Sequence, residues 1–588
     1  MINFKEDKEL NTLNHSCAHL MAQAVKHLYP NAKFWVGPVV EEGFYYDIDL
    51  GEDVIRDEDL SKIEKEMKKL AKDGKKIVRH EISKEEALEM FKDDPYKIDL
   101  ISRMDENEQI ISCYTQGDFT DLCRGPHVDN VKLCRNFKLI KHSGAYWKGD
   151  KNNKVLQRIY GVCLPTPEAL EAHLQDLEEA KQRDHRKLGK DLELFMFSET
   201  VGAGLPMYLP NGFTVRRLLS DYIMNKELNQ GYVHVMTPSV VNTKLYKISG
   251  HWDHYKDDMF PAMTSLKDPE NSYALRPMNC PEHMIMFKST LHSYRDLPVR
   301  IAEIANDFRF EASGALTGIE RARAFTQNDS HIFCRPDQIA DEIKNVTKLI
   351  LDVYHDFGFE KYSFRLSLRD PANKEKYFGH DELWEKSESE LREVLKEMNV
   401  PFYEAEGEAA FYGPKIDVQV RSALGHDVTL STIQLDYQLP ERFELEYVDR
   451  DQEKKRPVVI HRAILGSLDR FIAFLLEETK GIFPLWLAPM QCVVLPIAPD
   501  AHGEYAAEIV QELKKMGVRC NLDDRNEKLG YRVREAQTSK IPVEVVVGDK
   551  ERDERAVTVR RYGSKVETKL SLEDFYKAIK EEIDNKVH

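Results

Sequence analysis

Between Arg309 and Phe333 the sequence reads RFEASGALTGIERARAFTQNDSHIF. A strand turns successive side chains to opposite faces. Arg309 and Glu311 then share one face ahead of a turn carrying Gly314 and Gly318. On a return strand Arg321, Arg323, Gln327, Asp329 and His331 fall on one parity. Ala322, Ala324, Thr326, Asn328, Ser330 and Ile332 fall on the other. Several guanidiniums, a carboxylate, an amide and an imidazole on one face can hold a polar, phosphate-bearing ligand. A solvated hairpin face carries the same pattern with no ligand at all.

Three further segments belong with this one. RPMNCPEH sets Cys280 between an Arg and a Pro. AFYGPKIDVQV alternates Lys415, Asp417 and Gln419 to one side of a strand. In RPVVIHRAILGSLDRF an apolar strand is predicted to end at His461, and a helix then carries Gly466 and Arg470 four apart on one face. Cys280, His331 and His461 are far apart in sequence, and taken singly each reads as structural. Near the N-terminus, His15-Ser-Cys-Ala-His19 puts two imidazoles on one helical face, and Cys123-Arg-Gly-Pro-His127 adds a thiol and a third imidazole. That set suggests a tetrahedral zinc site. The lack of a Glu between the histidines argues against a metalloprotease, and buried polar groups on packed elements remain the plain alternative.

The elements that must position these groups fill 588 residues, too many for one core, and the length suggests about three or four domains. The net charge of -17 argues against a chain that coats nucleic acid non-specifically, while leaving room for local basic surfaces. Nine scattered cysteines form no framework and point to a reducing compartment. The start, MINFKEDKEL, lacks the apolar core of a signal peptide. The uncharged run from Gly481 to Pro499 contains four prolines, which suits a domain junction better than a membrane span. The chain is expected to be soluble and cytoplasmic.

Residues 1–165 mix helix and strand, with a helix from near Leu13, a strand at Phe44–Asp49 and a charged helix at Glu58–Lys72. Residues 166–190 read as a solvated linking helix of mixed charge. Residues 191–484 alternate strands with amphipathic helices. Residues 485–588 read as a small α/β domain with a largely parallel sheet.

Taken together, these segments resemble class II aminoacyl-tRNA synthetases and, within that class, the threonyl-tRNA synthetases. Thr214 to Pro238, ending YVHVMTP, is similar to the first class motif, whose proline lies at a dimer interface. Arg309-Phe310-Glu311 matches the second motif and Gly466 to Arg470 the third. The resemblance implies a multidomain α+β and α/β chain: a class II synthetase antiparallel sheet flanked by helices, an N-terminal α+β editing domain and a C-terminal α/β anticodon-binding domain. It implies that Arg309 holds the α-phosphate of ATP, Glu311 the adenine end, and Arg321 and Arg470 the outer phosphates, with magnesium sharing the charge. Gln327, Lys415 and Gln434 are implied to line the amino-acid and adenylate site.

By the same resemblance Cys280, His331 and His461 bind one zinc per subunit, with an open position for substrate, and Asp329 and Tyr412 add contacts to threonine. Valine lacks the hydroxyl and is rejected by roughly 10⁴-fold or more. Serine lacks only a methyl, worth about 10–200-fold, so a second check is needed. The resemblance supplies it: His15, His19, Cys123 and His127, helped by Lys97, Asp121 and Tyr46, match an editing domain that hydrolyses Ser-tRNA(Thr), generally without metal. A metal-bound variant stays open, since a related alanyl editing domain uses such a constellation for zinc.

In RNEKLGYRVREA, Arg, Lys and Tyr on a loop and helix suit RNA phosphates and bases. The resemblance assigns Asn526, Glu551 and Arg560 to the anticodon. Bacterial members commonly begin with a ubiquitin-like β-grasp domain, whereas this sequence starts almost directly at the editing domain, so tasks that depend on that module are not expected. The implied partners are ATP, L-threonine, tRNA(Thr) and a second copy in a homodimer, with no membrane. Two alternatives stand beside this reading. A prolyl- or seryl-type synthetase is opposed by the Cys280/His331/His461 trio. A catalytically inactive relative that binds RNA or regulates is opposed by Arg309, Arg321 and Arg470.

Overall fold

The computed structural model describes residues 2–104, 110–150, 152–377, 381–423, 425 and 427–586, and every count below is of those residues. The chain divides into two compact units, Met1–Ala180 and Lys181–His588.

The first unit is built on helix α1 (Lys8–Leu28), whose N-cap Asp7 accepts the amides of Glu9 and Leu10. Leu13, Cys17, Leu20, Met21 and Ala24 recur at helical spacing and are buried. The helix starts five residues before Leu13 because the Asp7 cap, rather than the first buried residue, sets its end. It packs against an antiparallel sheet containing β1 (Gly43–Asp49), and against α2 (Asp57–Asp73). A second sheet pairs β2 (Ile77–Ser83), β3 (Ile110–Gln116) and β4 (Phe119–Leu122), with α3 (Pro95–Ser102) preceding β3. The strands β5 (Phe137–Tyr146) and β6 (Val155–Cys163) complete the first sheet beside β1.

The predicted linking helix is two helices, α4 (Pro167–Arg183) and α5 (His185–Asp191), broken where Asp184 caps the second. Neither is wholly solvated: His173, His185 and Leu188 are buried. Mixed charge marked the outer face and hid the inner one.

The second unit opens with α6 (Pro210–Asn229) and edge strand β7 (Val233–His234). Helix α7 (Cys280–Lys288) leads to strands β8 (Val299–Phe308) and β9 (Ala324–Cys334), then helix α8 (Ile339–Asp356) and strand β10 (Tyr362–Leu368). After α9 (Asp381–Glu397) come β11 (Phe402–Glu406), β12 (Lys415–Arg421), β13 (Asp427–Asp436), β14 (Val458–Ser467) and helix α10 (Leu468–Thr479). The sheet order is β7-β8-β9-β14-β13-β12-β10-β11, antiparallel through its centre and parallel at each edge pair. One face packs on helices: Asn328 of β9 and Arg462 of β14 both bond Glu227 of α6.

Three expectations change here. Arg309, Glu311, Arg321 and Arg323 lie in the connection between β8 and β9, not in the strands, so their convergence comes from a loop. β14 runs six residues past His461. Gly466 therefore ends a strand, at φ +60, instead of sitting on the helix with Arg470. A Cβ there would meet the Leu430 carbonyl oxygen at 2.5 Å, so β13 dictates the glycine.

The last part of this unit orders β15 (Cys492–Pro496), α11 (Pro499–Lys515), β16 (Cys520–Leu522), α12 (Leu529–Thr538), β17 (Val543–Val547), β18 (Ala556–Arg561), β19 (Glu567–Ser571) and α13 (Leu572–Asp584). Its sheet is mixed rather than largely parallel. β15 pairs in parallel with β16 and β17, while β17-β18-β19 is an antiparallel meander. No described helix is long and apolar enough to cross a membrane.

Candidate active sites

Directly opposed residues on neighbouring strands present their side chains to one face. Across β9, β14, β13 and β12 this aligns His331, His461, Gln434 and Lys415 in one lateral row. The next row holds Asp329, Ala463, Thr432 and Asp417. Both rows floor a cavity of about 440 Å³. Its walls include Arg309, Glu311 and Arg321 from the β8–β9 loop, Gln327, Tyr412, Cys280 and Arg470. Every activation-site residue predicted from sequence lines it except His331, which is fully buried beneath.

The cavity is divided by charge. At one end Arg321 pairs with Glu311 at 2.9 Å, Arg309 donates to the Pro277 carbonyl, and Arg470 to that of Glu320. Burial lowers the Arg470 pKa; Glu320 opposes that, and neighbouring Arg309 and Arg321 add to it. Guanidiniums this close repel one another until an anion lies between them, so this end is made for a polyanion. Toward β12, Asp417 stays below the usual carboxylate range despite its burial, because Lys415, Arg365 and Ser367 surround it.

At the other end Cys280, His331 and His461 each offer a ligand atom within 4.8 Å of the others. The histidines are cross-strand partners, and Cys280 arrives at the first turn of α7. His461 Nε2 lies 2.8 Å from Asp436 Oδ2 and His331 Nδ1 lies 2.7 Å from His283 Nδ1. The remaining ring atoms, His461 Nδ1 and His331 Nε2, are buried without a hydrogen-bond partner. Two orphaned imidazole nitrogens beside a thiol are a donor set that fits a divalent metal. Burial, then the carboxylates of Asp329, Asp307, Glu282 and Asp436, push the Cys280 thiol well up, so a cation is what would make it a thiolate. Asp329 Oδ2 stands 3.7 Å from His331 Nε2, and the Tyr412 ring packs 5.1 Å from that of His461.

In the first unit α1 supplies His15 and His19, and the segment after β4 supplies Cys123 and His127. All four offer ligand atoms within 4.8 Å of one another. Cys123 Sγ is 3.2 Å from His15 Nε2 and 3.1 Å from His127 Nε2. Behind them Lys97 Nζ lies 2.6 Å from Asp121 and 3.2 Å from the Tyr46 hydroxyl, which itself donates to Asp121. His19 Nε2 is 3.7 Å from the same carboxylate. Burial, reinforced by His19 and His15, pushes His127 down to about 2, and burial raises Cys123 to about 12. Burial thus favours the neutral forms of these imidazoles and of the thiol.

The three anticodon candidates do not form such a cluster. Asn526 is exposed on the loop before α12. Glu551 is engaged internally, accepting from the Gly548 amide and the Thr558 hydroxyl. Arg560 donates to the Ser564 carbonyl and faces Glu544 across the sheet. Of the basic residues in RNEKLGYRVREA, Arg532 is fully buried and bonds the carbonyls of Asp523, Glu527 and Pro496.

Residues 263–479 match the tRNA synthetase class II core domain (G, H, P, S and T), residues 491–582 the anticodon binding domain, and residues 111–160 the threonyl and alanyl tRNA synthetase second additional domain. The chain is 56% identical over 577 residues to the threonine–tRNA ligase of Staphylococcus carnosus, covering 98% of this chain and 89% of the relative. The chain belongs to the threonyl-tRNA synthetase family. The Geobacillus kaustophilus ligase is likewise 56% identical, over 98% of this chain and 88% of its own length. Among solved structures, the RNA binding domain of threonyl-tRNA synthetase from Cryptosporidium parvum aligns with TM-score 0.64 and 36% identity, over 68% of this chain and 98% of that one. ThrRS-1 from Aeropyrum pernix aligns at 0.61 and 29%, over 68% and 96%.

His283, Glu303 and Asp436 stand behind the histidine pair and are not among the site residues predicted from sequence. A signal for His283 existed: it follows Cys280 by three on a helix and so shares its face. Nothing local marks Glu303 or Asp436, whose roles come only from strand pairing.

Proposed function

We propose that the chain activates L-threonine with ATP, transfers it to tRNA(Thr), and hydrolyses Ser-tRNA(Thr) at a second centre. The supporting observation is the pairing, in one cavity, of a cationic end with a buried thiol and two orphaned imidazole nitrogens. The domains are taken as 1–165 for editing, 166–190 linking, 191–484 for activation and 485–588 for the anticodon, in a cytoplasmic homodimer.

Arg309, Arg321 and Arg470 bind the ATP phosphates together with magnesium, Glu311 orients the adenine end, and Gln327, Lys415 and Gln434 hold the amino acid against the α-phosphate. A carboxylate oxygen of threonine attacks the α-phosphorus and pyrophosphate leaves. The fixed guanidiniums stabilise the charge that builds between them. Cys280, His331 and His461 would hold a zinc ion, which would supply a Lewis-acidic position for the amino and hydroxyl groups of threonine. Asp329 and Tyr412 complete that pocket. In the editing centre His15, His19, Cys123 and His127 position a water at the seryl ester of the tRNA 3′ end, with Lys97 and Asp121 as helpers paired behind them. A protonated thiol speaks for positioned water over covalent attack by Cys123. Asn526, Glu551 and Arg560 are the candidates for contact with the anticodon, and of the three Asn526 has the exposed side chain.

Amino-acid-dependent ATP–pyrophosphate exchange, with metal content, tests the reading. Threonine-dependent exchange and about one zinc per chain, both lost in Cys280→Ala, are expected. Exchange with another amino acid but not threonine overturns the reading, and no exchange with any amino acid identifies an inactive relative.

A further inference from the structure

Behind the metal-facing histidine lies a chain of buried polar groups that ends on a carboxylate. His331 Nδ1 is 2.7 Å from His283 Nδ1, and His283 Nε2 is 3.2 Å from Glu303 Oε2. Glu303 also accepts from the Thr237 amide at 2.8 Å and hydroxyl at 2.9 Å, from Asn279 at 3.1 Å and from Arg276 at 3.3 Å. His283, His331 and Asn279 are wholly buried, and Arg276 and Glu303 nearly so. Ladder pairing sets the spacing, since Glu303 on β8 is the cross-strand partner of Asp329 on β9.

The order of donors along this chain is set by its two ends, a carboxylate that accepts and an unpartnered His331 Nε2. Burial works against charge on Glu303, yet bonds from His283, the Thr237 amide and Asn279, with the charge of Arg276, hold it down at about 2. An ionised carboxylate only accepts, so His283 Nε2 carries a hydrogen and donates. With His331 Nε2 kept free for a metal, the His331 ring hydrogen sits on Nδ1 and is donated to His283 Nδ1. His331 Nε2 is left with a lone pair, and it is the buried orphan that faces Cys280 and His461. The reverse order puts a hydrogen on His331 Nε2, where it would block a metal.

We propose that His283 and Glu303 are positioning residues which lock His331 in its Nδ1–H tautomer and so preform the zinc site. The inference rests on the reading of Cys280, His331 and His461 as zinc ligands. The usual carboxylate behind a metal-bound histidine is here displaced by one imidazole, which carries its influence outward to Thr237 in the segment after β7.

The test is zinc release from the full chain to a chromophoric chelator, with the absorption spectrum of the cobalt(II)-loaded chain as a second readout. Glutamine at 283 can accept from His331 through its oxygen and donate to Glu303 through its nitrogen; phenylalanine can do neither. His283→Phe should therefore release zinc roughly 10–100-fold faster and shift the cobalt bands, while His283→Gln stays close to wild type. Equal release from wild type, His283→Phe and His283→Gln overturns the proposal. Equal acceleration in both variants also overturns it, because packing alone then explains the position. If His283→Phe does not fold, Glu303→Gln carries the test, since its amide must turn a donor toward either His283 or Thr237. A wild-type chain that binds no zinc fails earlier, at the ligand reading itself.

Discussion

Lys97 Nζ lies 2.6 Å from Asp121 Oδ1, with both side chains about 97% or more out of solvent. A pair this deep is expensive to break, because one partner is left as an uncompensated charge, at about 3–5 kcal/mol. Asp121→Asn is expected to slow hydrolysis of Ser-tRNA(Thr) by roughly 10²-fold and to destabilise the first unit. Charging with threonine should be unchanged, because that chemistry belongs to the other unit. Parallel assays of deacylation and aminoacylation on one preparation check this, and equal loss of both contradicts it.

On the zinc reading, losing the ion changes selectivity as well as rate. In Cys280→Ser the threonine hydroxyl would lose a metal partner. Discrimination against valine should then fall from roughly 10⁴ toward the 10²-fold reached by apolar contacts. Exchange measured with each amino acid gives the ratio directly, and an unchanged ratio separates selectivity from the metal.

Arginine and lysine differ at the phosphate end. Arg309→Lys and Arg470→Lys keep the charge and lose the planar fork. Each is expected to reduce threonine-dependent exchange by roughly 10²–10³-fold, with deacylation of Ser-tRNA(Thr) intact. A loss under tenfold would mean that charge alone suffices there.

The editing cluster sets a pH window for the first unit. His127 is held neutral down to about 2, whereas the unfolded side chain takes a proton near 6.5. Below that value the unfolded chain binds the extra proton, so stability falls as pH drops from about 6.5. Cys123, raised to about 12 from 9.0, works in the opposite sense. Above about pH 9 the unfolded thiol ionises first, and stability falls as pH rises. Hydrogen exchange of the α1 amides should show greatest protection between these limits. Cys123→Ser should lose the alkaline decline, and an acid decline that survives in His127→Gln must come from elsewhere.

Gly466→Ala should destabilise the second unit by about 1–3 kcal/mol, through its positive φ and the Leu430 carbonyl. Gly503→Ala in α11 is the control. An added methyl there meets nothing within 4 Å, and removing glycine from a helix stabilises by about 0.4–1 kcal/mol. Thermal midpoints moving in opposite directions are the expected result.

Much of this was legible in the sequence because its signals are local. Gln327, Asp329 and His331 share a strand face by simple alternation, and His15 and His19 share a helix face by a spacing of four. The class motifs tied distant segments together, which spacing alone never does. What escaped was set by long-range pairing or by caps. Gly466 belongs to a strand because β9 pairs beyond it, Gln327 with Ser467, and the linker breaks because Asp184 caps a second helix. Glu303 meets His283 through a fold that neither neighbourhood announces. The arginines of RNEKLGYRVREA looked alike, yet Arg532 spends its donors on backbone carbonyls inside the domain.

The lateral rows carry one further consequence, for how such a chain can vary. His331, His461, Gln434 and Lys415 come from four separate strands and meet only because three registers agree. Inserting or deleting a single residue in any of them turns every following side chain to the opposite face. Individual residues in the rows can be exchanged and the floor still forms. The lengths of these strands cannot drift, so changes in length are confined to the loops between them.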